Sequence, residues 1–375
     1  MAGNGHFIDW SRLDKVAADR LWLRPLGLLC GYAARSAVAS GMARRLVGAN
    51  LAFTLVAALG LGSDRRLTSV TAPISELEGW LGGPGARFAE GAQERLALLS
   101  APRPPWAGFF LDRPLVVGVV NVTPDSFSDS GRWFDVKRAV AHGRALVAAG
   151  AGIIDVGGES TRPGAAELPP NEEIRRVEPV VRALAEGGAV VSVDTRHKAV
   201  MERALAAGAR IVNDISALTH DPESLALVAR RAAPVVLMHM HGEPLTMQRE
   251  PVYDSPLVEV LEYLEARVAA CVAAGIPRER IVVDPGIGFG KLVPHNLNLL
   301  AGIGAFHALG CGVMLGVSRK SMIARLSRGE PPDARLPGSL AAALFGVQQG
   351  LQILRVHDVA ETHQALSLWG AIAGA

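Results

Sequence analysis

The chain has 375 residues, of which 49% are hydrophobic and 20% charged, a balance that supports a sizeable core and excludes global disorder. A net charge of +2 gives no electrostatic case for a nucleic-acid partner. The length predicts two domains, or one large barrel with an addition.

Residues 1–112 are rich in Ala, Leu, Gly and Arg and carry no recognisable chemistry. Residues 1–20 are mixed and charged, unlike a signal peptide. The three cysteines (30, 271, 311) match no metal spacing, so the chain reads as a reduced, cytoplasmic protein. The run LVGANLAFTLVAALGLG (46–62) spans 17 residues and contains Asn50 and Thr54. A membrane span needs about 20, so a buried helix is expected there and no membrane association. The stretch SAPRPPWAGFFLDRP reads as a linker, a boundary where few contacts cross. The expected division is therefore 1–112, of unknown role, and 113–375.

From residue 114 the chain becomes regular. Short β-branched runs at 115–120, 152–156, 189–194, 210–213, 234–238, 280–284, 312–316 and 351–355 alternate with helical stretches such as 137–149, 172–186, 197–207, 255–274 and 338–349. Successive βα units of this kind predict a (β/α)8 TIM barrel, with a doubly wound sheet as the runner-up.

Polar residues gather where these strands end: Asn121, Asp155, Asp194, Asn213-Asp214, Met238-His239, Asp284, the GVSRKS segment, and Arg355 with His357 and Asp358. Helix capping accounts for any one of them but not readily for all. In a barrel the strand ends converge on a single face, so they describe one site. Asp155, Asp194, Asn213 and Asp284 suit the amino-pyrimidinone edge of a flat heterocycle, because a carboxylate accepts two parallel N–H bonds. Thr161, Arg162, Lys320, Arg355 and His357 are donors suited to phosphate. Asn121 and the carboxylates of the following loop (Asp125, Asp129) are hard oxygen ligands for Mg²⁺ against a pyrophosphate. The bland readings stand beside these. PGIGFGK lacks phosphate-loop spacing and is about as well explained as a tight βα turn. His239 is better read as a satisfied histidine than as a zinc ligand. Lys291 reads as neutralising a loop or helix end rather than as a group doing chemistry.

The segments NVTPDSFSD, DVGGESTRPGA, SVDT, VNDIS, LMHMHGEP, MQREPVYD, DPGIGFGK, GVSRKS and RVHDV, in this order, resemble the dihydropteroate synthases, pterin-binding (β/α)8 barrels, over roughly residues 113–372. The resemblance implies condensation of 6-hydroxymethyl-7,8-dihydropterin pyrophosphate with para-aminobenzoate, giving 7,8-dihydropteroate and pyrophosphate. By that likeness Asp194, Asn213, Asp284 and Lys320 hold the pterin, with Asp155 close by and Met238 packed on its face. Asn121 coordinates Mg²⁺, helped by Asp129, and Thr161, Arg355 and His357 bind the diphosphate. Ser321 meets the aminobenzoate carboxylate, and Phe127, Pro163 and Phe289 wall its ring. Asp129, Arg162 and Lys320 are the groups expected to act in the chemical step. The likeness also leads us to expect a homodimer with small-molecule partners only. Two rivals were weighed, a folate-dependent methyltransferase barrel and a non-catalytic pterin-binding paralogue. The intact NVTPDSFSD, STRPG and RVHDV segments argue against both.

Overall fold

The computed structural model describes residues 8–122, 136–160, 164–165 and 167–374. Its N-terminal part contains β1 (Trp22–Cys30), α1 (Gly31–Ala39), β2 (Arg44–Arg45), β3 (Leu51–Leu61), β4 (Leu67–Pro73), α2 (Ile74–Leu81) and α3 (Ala89–Ser100). The apolar run at 46–62, expected as a buried helix, is a turn followed by β3. That strand lies at the centre of an antiparallel sheet, with β1 along one edge and β2 and β4 sharing the other. The reason is burial on both faces. With sheet partners on both edges and apolar packing above and below, a central strand loses its alternation and reads as an unbroken apolar run. Val47 and Gly48, both at positive φ (48° and 68°), end any helix there before it starts.

The Pro-rich stretch after α3 is not a boundary with few contacts. Arg103 donates to the carbonyls of Ala101, Leu98, His307 and Cys311 at 2.7–2.9 Å, and so ties the N-terminal part to the barrel. The fork of a guanidinium matches four inward-turned carbonyls, which composition alone does not reveal. Further ties are Arg24 to the Ala301 carbonyl (2.7 Å) and Arg95 to Glu265 (2.9 Å).

The barrel then runs β5 (Leu115–Asn121), α4 (Val136–Ala148), β6 (Ile153–Gly157), α5 (Pro170–Glu186), β7 (Val191–Asp194), α6 (Lys198–Ala206), β8 (Ile211–Asp214), α7 (Ser224–Arg231), β9 (Val235–Met238), α8 (Pro256–Ala273), β10 (Ile281–Asp284), α9 (Val293–Ala301), β11 (Gly312–Leu315), α10 (Ser321–Leu326), α11 (Leu336–Gln348), β12 (Ile353–Val356) and α12 (Val359–Gly374). Strands β5 to β12 are parallel and close on themselves, the expected (β/α)8 barrel.

Inside, Val117, Ile153, Ile211, Val236, Val282, Met314 and Ile353 form one buried layer. Trp106, 2% exposed, packs into this layer from the N-terminal end, and its indole N–H donates to the Arg280 carbonyl at 3.1 Å. The barrel floor is thus aliphatic and closed by an aromatic plug. Among the described residues, no helix is long and apolar enough to cross a membrane.

Candidate active site

Side chains two residues apart on a strand share a face. The residue two beyond each floor position therefore also points into the barrel, nearer its C-terminal mouth. These positions are Val119, Asp155, Asn213, Met238, Asp284 and Arg355; β7 contributes Asp194 beyond Ser192, Asn121 stands two further along β5, and Gly316 and His357 lie just past the ends of β11 and β12. An apolar floor thus gives way to a polar well.

Within the well the polar groups are wired together. Asp155 Oδ2 accepts from Asn213 Nδ2 (3.0 Å) and Arg355 Nε (2.6 Å), and Arg355 Nη2 donates to Asp194 Oδ2 (2.6 Å). Asp155 is 1% exposed, yet its Oδ1 has no hydrogen-bond partner among the described residues. A buried acceptor left unpaired costs about 1–3 kcal/mol, which marks this oxygen as a candidate ligand contact. Asp284 Oδ1 accepts from the Gly286 N–H at 2.7 Å.

Burial governs the charges. It pushes the Asp194 carboxyl up to about 7 against the pull of Arg355, and raises Asp284 as well. Lys320 is brought down to about 8 by burial and then by the Arg355 charge, and His357 down to about 4 for the same two reasons. His357 is a neutral imidazole at pH 7, its Nδ1 3.0 Å from Ser318 Oγ. The Lys320 ammonium sits 4.1 Å from the centre of the Phe289 ring. Met238 is buried at the end of β9, and Ser321 is exposed as the first residue of α10. Asn121, half-buried, ends β5.

The structure brings together Asp155, Asp194, Asn213, Met238, Asp284, Arg355 and His357, with Lys320 and Phe289 at their edge. It also joins what the sequence reading had separated, because Arg355, expected at the diphosphate, is paired with two of the ring carboxylates. Phe127, Asp125, Asp129, Thr161, Arg162 and Pro163 lie outside the described residues. Two strand-end acids face elsewhere. Asp214 accepts from the N–H groups of Ser216 and Leu218, and Asp358 pairs with Arg319.

PGIGFGK is a braced turn. Gly286, Gly288 and Gly290 all take positive φ (67°, 87° and 63°), and a Cβ on Gly286 would fall 1.9 Å from the His239 carbonyl oxygen. Buried Lys291 donates to the carbonyls of His239, Gly286 and Phe289 and to His239 Nδ1, at 2.9–3.1 Å. Sequence reasoning missed three supports: Gln248 donating to the Gly288 carbonyl (2.7 Å), Asn296 accepting from the Gly288 N–H (2.7 Å), and Ser318 beside His357. Ser318 lies inside GVSRKS and was open to notice. The other two are set only by tertiary folding.

Known proteins carry the same pattern. Residues 117–357 match the family model described as "Pterin binding enzyme". The dihydropteroate synthase of Escherichia coli K12 is 48% identical over 257 residues, covering 68% of this chain and 90% of that protein. That of Mycobacterium leprae is 43% identical, covering 68% and 92%. A Xanthomonas albilineans dihydropteroate synthase solved with 4-aminobenzoic acid superposes with a TM-score of 0.68 at 47% identity, covering 72% of this chain and 97% of that one. The same enzyme in complex with 7,8-dihydropteroate superposes with a TM-score of 0.63. With the barrel, the polar well and these likenesses in agreement, the chain belongs to the pterin-binding enzymes, and among them to the dihydropteroate synthase family.

Proposed function

We propose that the chain condenses 6-hydroxymethyl-7,8-dihydropterin pyrophosphate with para-aminobenzoate to give 7,8-dihydropteroate and pyrophosphate. The observation that carries this reading is the unpaired, buried Asp155 Oδ1, standing above an aliphatic floor within a ring of acceptors. A flat ring with N–H donors along one edge answers both features.

In this reading Asp155, Asp194, Asn213 and Asp284 receive the pterin edge, Met238 packs on its face, and Lys320 bonds the ring while facing Phe289. Arg355 and neutral His357 meet the diphosphate beside the methylene carbon, with Thr161 and Arg162. Ser321 and Phe289 receive the aminobenzoate, together with Phe127 and Pro163. An aryl amine is uncharged at pH 7, so its nitrogen attacks the methylene carbon without a general base. The C–O bond to pyrophosphate breaks, and the amine then loses a proton. What the site must stabilise is the departing anion and positive charge growing on the methylene, which Arg355 and the carboxylates respectively address.

Mg²⁺ suits this site. Asn121 offers a hard amide oxygen at the well's rim, as one ligand among those supplied by Asp129, diphosphate and water. When bound, the ion would neutralise diphosphate charge. A homodimer fits the exposed Phe345 on α11 and the exposed Leu368 and Ile372 on neighbouring α12. We keep the division at residues 112 and 113, with 1–112 as a structural addition whose Arg103 and Trp106 anchor it to the barrel.

The test is pyrophosphate release measured with and without para-aminobenzoate. Release that depends on the amine, with dihydropteroate formed in equal amount, supports the assignment; release indifferent to the amine overturns it.

A further inference from the structure

Beside the well, on three consecutive βα loops, stands a second cluster of polar side chains. Glu167 lies between β6 and α5, His197 between β7 and α6, and His220 between β8 and α7. One ligand atom from each falls within 4.8 Å of the others. His197 Nε2 is 3.9 Å from Glu167 Oε1, His220 Nε2 is 3.6 Å from the same oxygen, and the two imidazole rings meet edge to face at 5.1 Å.

His197 carries the argument. The residue is 6% exposed, and among the described residues its Nε2 has no hydrogen-bond partner. The Glu173 carboxyl is 3.9 Å from the same nitrogen, beyond hydrogen-bond reach. A buried imidazole nitrogen beside a second imidazole and a carboxylate, with no hydrogen-bond partner among the described residues, has the chemistry of a metal ligand.

We propose that Glu167, His197 and His220 form a binding site for a borderline divalent ion of the Zn²⁺ class. Two imidazoles and one carboxylate are a nitrogen-rich set that favours Zn²⁺ over Mg²⁺, and three protein ligands leave the fourth tetrahedral position to water. With bonds of about 2.0–2.1 Å, tetrahedral ligands stand roughly 3.4 Å apart, so atoms now within 4.8 Å of one another need draw in by at most about 1.4 Å. Glu167, whose side chain is 58% exposed and whose Oε1 lies 3.6 Å from Arg196 Nη2, makes that adjustment by drawing away from the guanidinium. Arg196 does not prevent it. Its guanidinium is held by both Glu159 oxygens at 3.0–3.1 Å, which neutralise its charge. Its contact to His220 Nδ1 is a marginal 3.5 Å and is given up when that nitrogen takes the ring proton and Nε2 turns to the ion. The filled site would cross-link three neighbouring rim loops, one of which also carries Thr161 and Arg162. This inference rests on side chains outside the pterin well and stands whether or not the proposed reaction is correct.

The experiment uses the full chain, stripped with a chelator and then titrated with Co²⁺ in the presence of excess Mg²⁺. One equivalent of Co²⁺ should give visible d–d bands that Zn²⁺ displaces. Glu167→Gln, at an exposed side chain, should weaken Co²⁺ binding at least about tenfold without affecting the fold. His197→Ala should abolish the bands, and His241→Ala should leave them intact. Absence of saturable uptake by the folded parent at micromolar metal overturns the proposal. So does uptake that survives both Glu167→Gln and His197→Ala.

Discussion

At Asp194 two effects oppose each other at a distance of 2.6 Å. Burial favours the neutral acid and Arg355 favours the anion, with the balance falling at about 7. Receiving N–H donors requires the anion. As pH falls through about 7 the carboxylate takes up a proton, so pterin affinity should fall on the acid side. Lys320 works in the other direction. With its pKa brought down to about 8, it gives up its charge above that pH, and affinity should fall on the alkaline side as well. Calorimetry with a pterin lacking the diphosphate, so that no phosphate titrates, should show a maximum between the two values. Lys320→Arg should extend the alkaline limb upward, because a guanidinium stays charged. A flat profile would show that neither group meets the ring. Asp284→Ala removes one buried acceptor and should cost about 1–3 kcal/mol of pterin affinity while the thermal transition stays cooperative. Asn121→Ala should weaken Mg²⁺-dependent pyrophosphate binding and spare the diphosphate-free pterin; equal losses for both ligands would point to a folding defect instead. These residues were legible in the sequence because each breaks an apolar run at a strand's end. The pairing of Arg355 with Asp155 and Asp194 was not, since it joins residues far apart in the chain.

At the scale of elements, the turn after β10 shows what the sequence could and could not convey. Its three glycines were visible and left two readings open, a phosphate cradle or a tight turn. The structure fills the space where a Cβ would go with the His239 backbone, and Lys291 binds the turn to the end of β9. Gly286→Ala combines a positive φ with a clash against backbone, and should lower stability by at least about 1–3 kcal/mol, read as a drop in Tm. Lys291→Met leaves three carbonyls without their donor and should destabilise by a similar or larger amount. If either variant melts with the parent, the turn is not braced as described. The eight barrel strands were found within a few residues because each is a short apolar run rich in β-branched residues, with a polar residue or a turn signal at or just beyond its end. Strand β3 was misread because an apolar run without alternation fits a helix as well as a central strand.

For the whole molecule, Arg103 and Trp106 decide how the N-terminal part relates to the barrel. The site residues all lie beyond them, so a chain beginning at Phe110 should keep its turnover per folded molecule. It should lose solubility or stability, since it exposes the surface under β1 and α3 and removes Trp106, whose deletion alone should cost about 3–5 kcal/mol. Turnover with both substrates and the mass in solution check this; a soluble, folded truncation with no turnover would show that residues 1–109 reach into the site. Leu368→Glu combined with Ile372→Glu should give a monomeric species by light scattering if α12 forms the dimer contact.

The aromatic plug has a kinetic consequence. A barrel stoppered at one end is a blind shaft, and whatever sits deepest in it must enter first and leave last. The heterocycle occupies that depth in the proposed reaction, so the amine should join only after it, and the joined product should be the last to depart. Initial-rate studies should therefore show compulsory order, with dihydropteroate competing against the pterin diphosphate alone. Random order would mean that the shaft has a second exit.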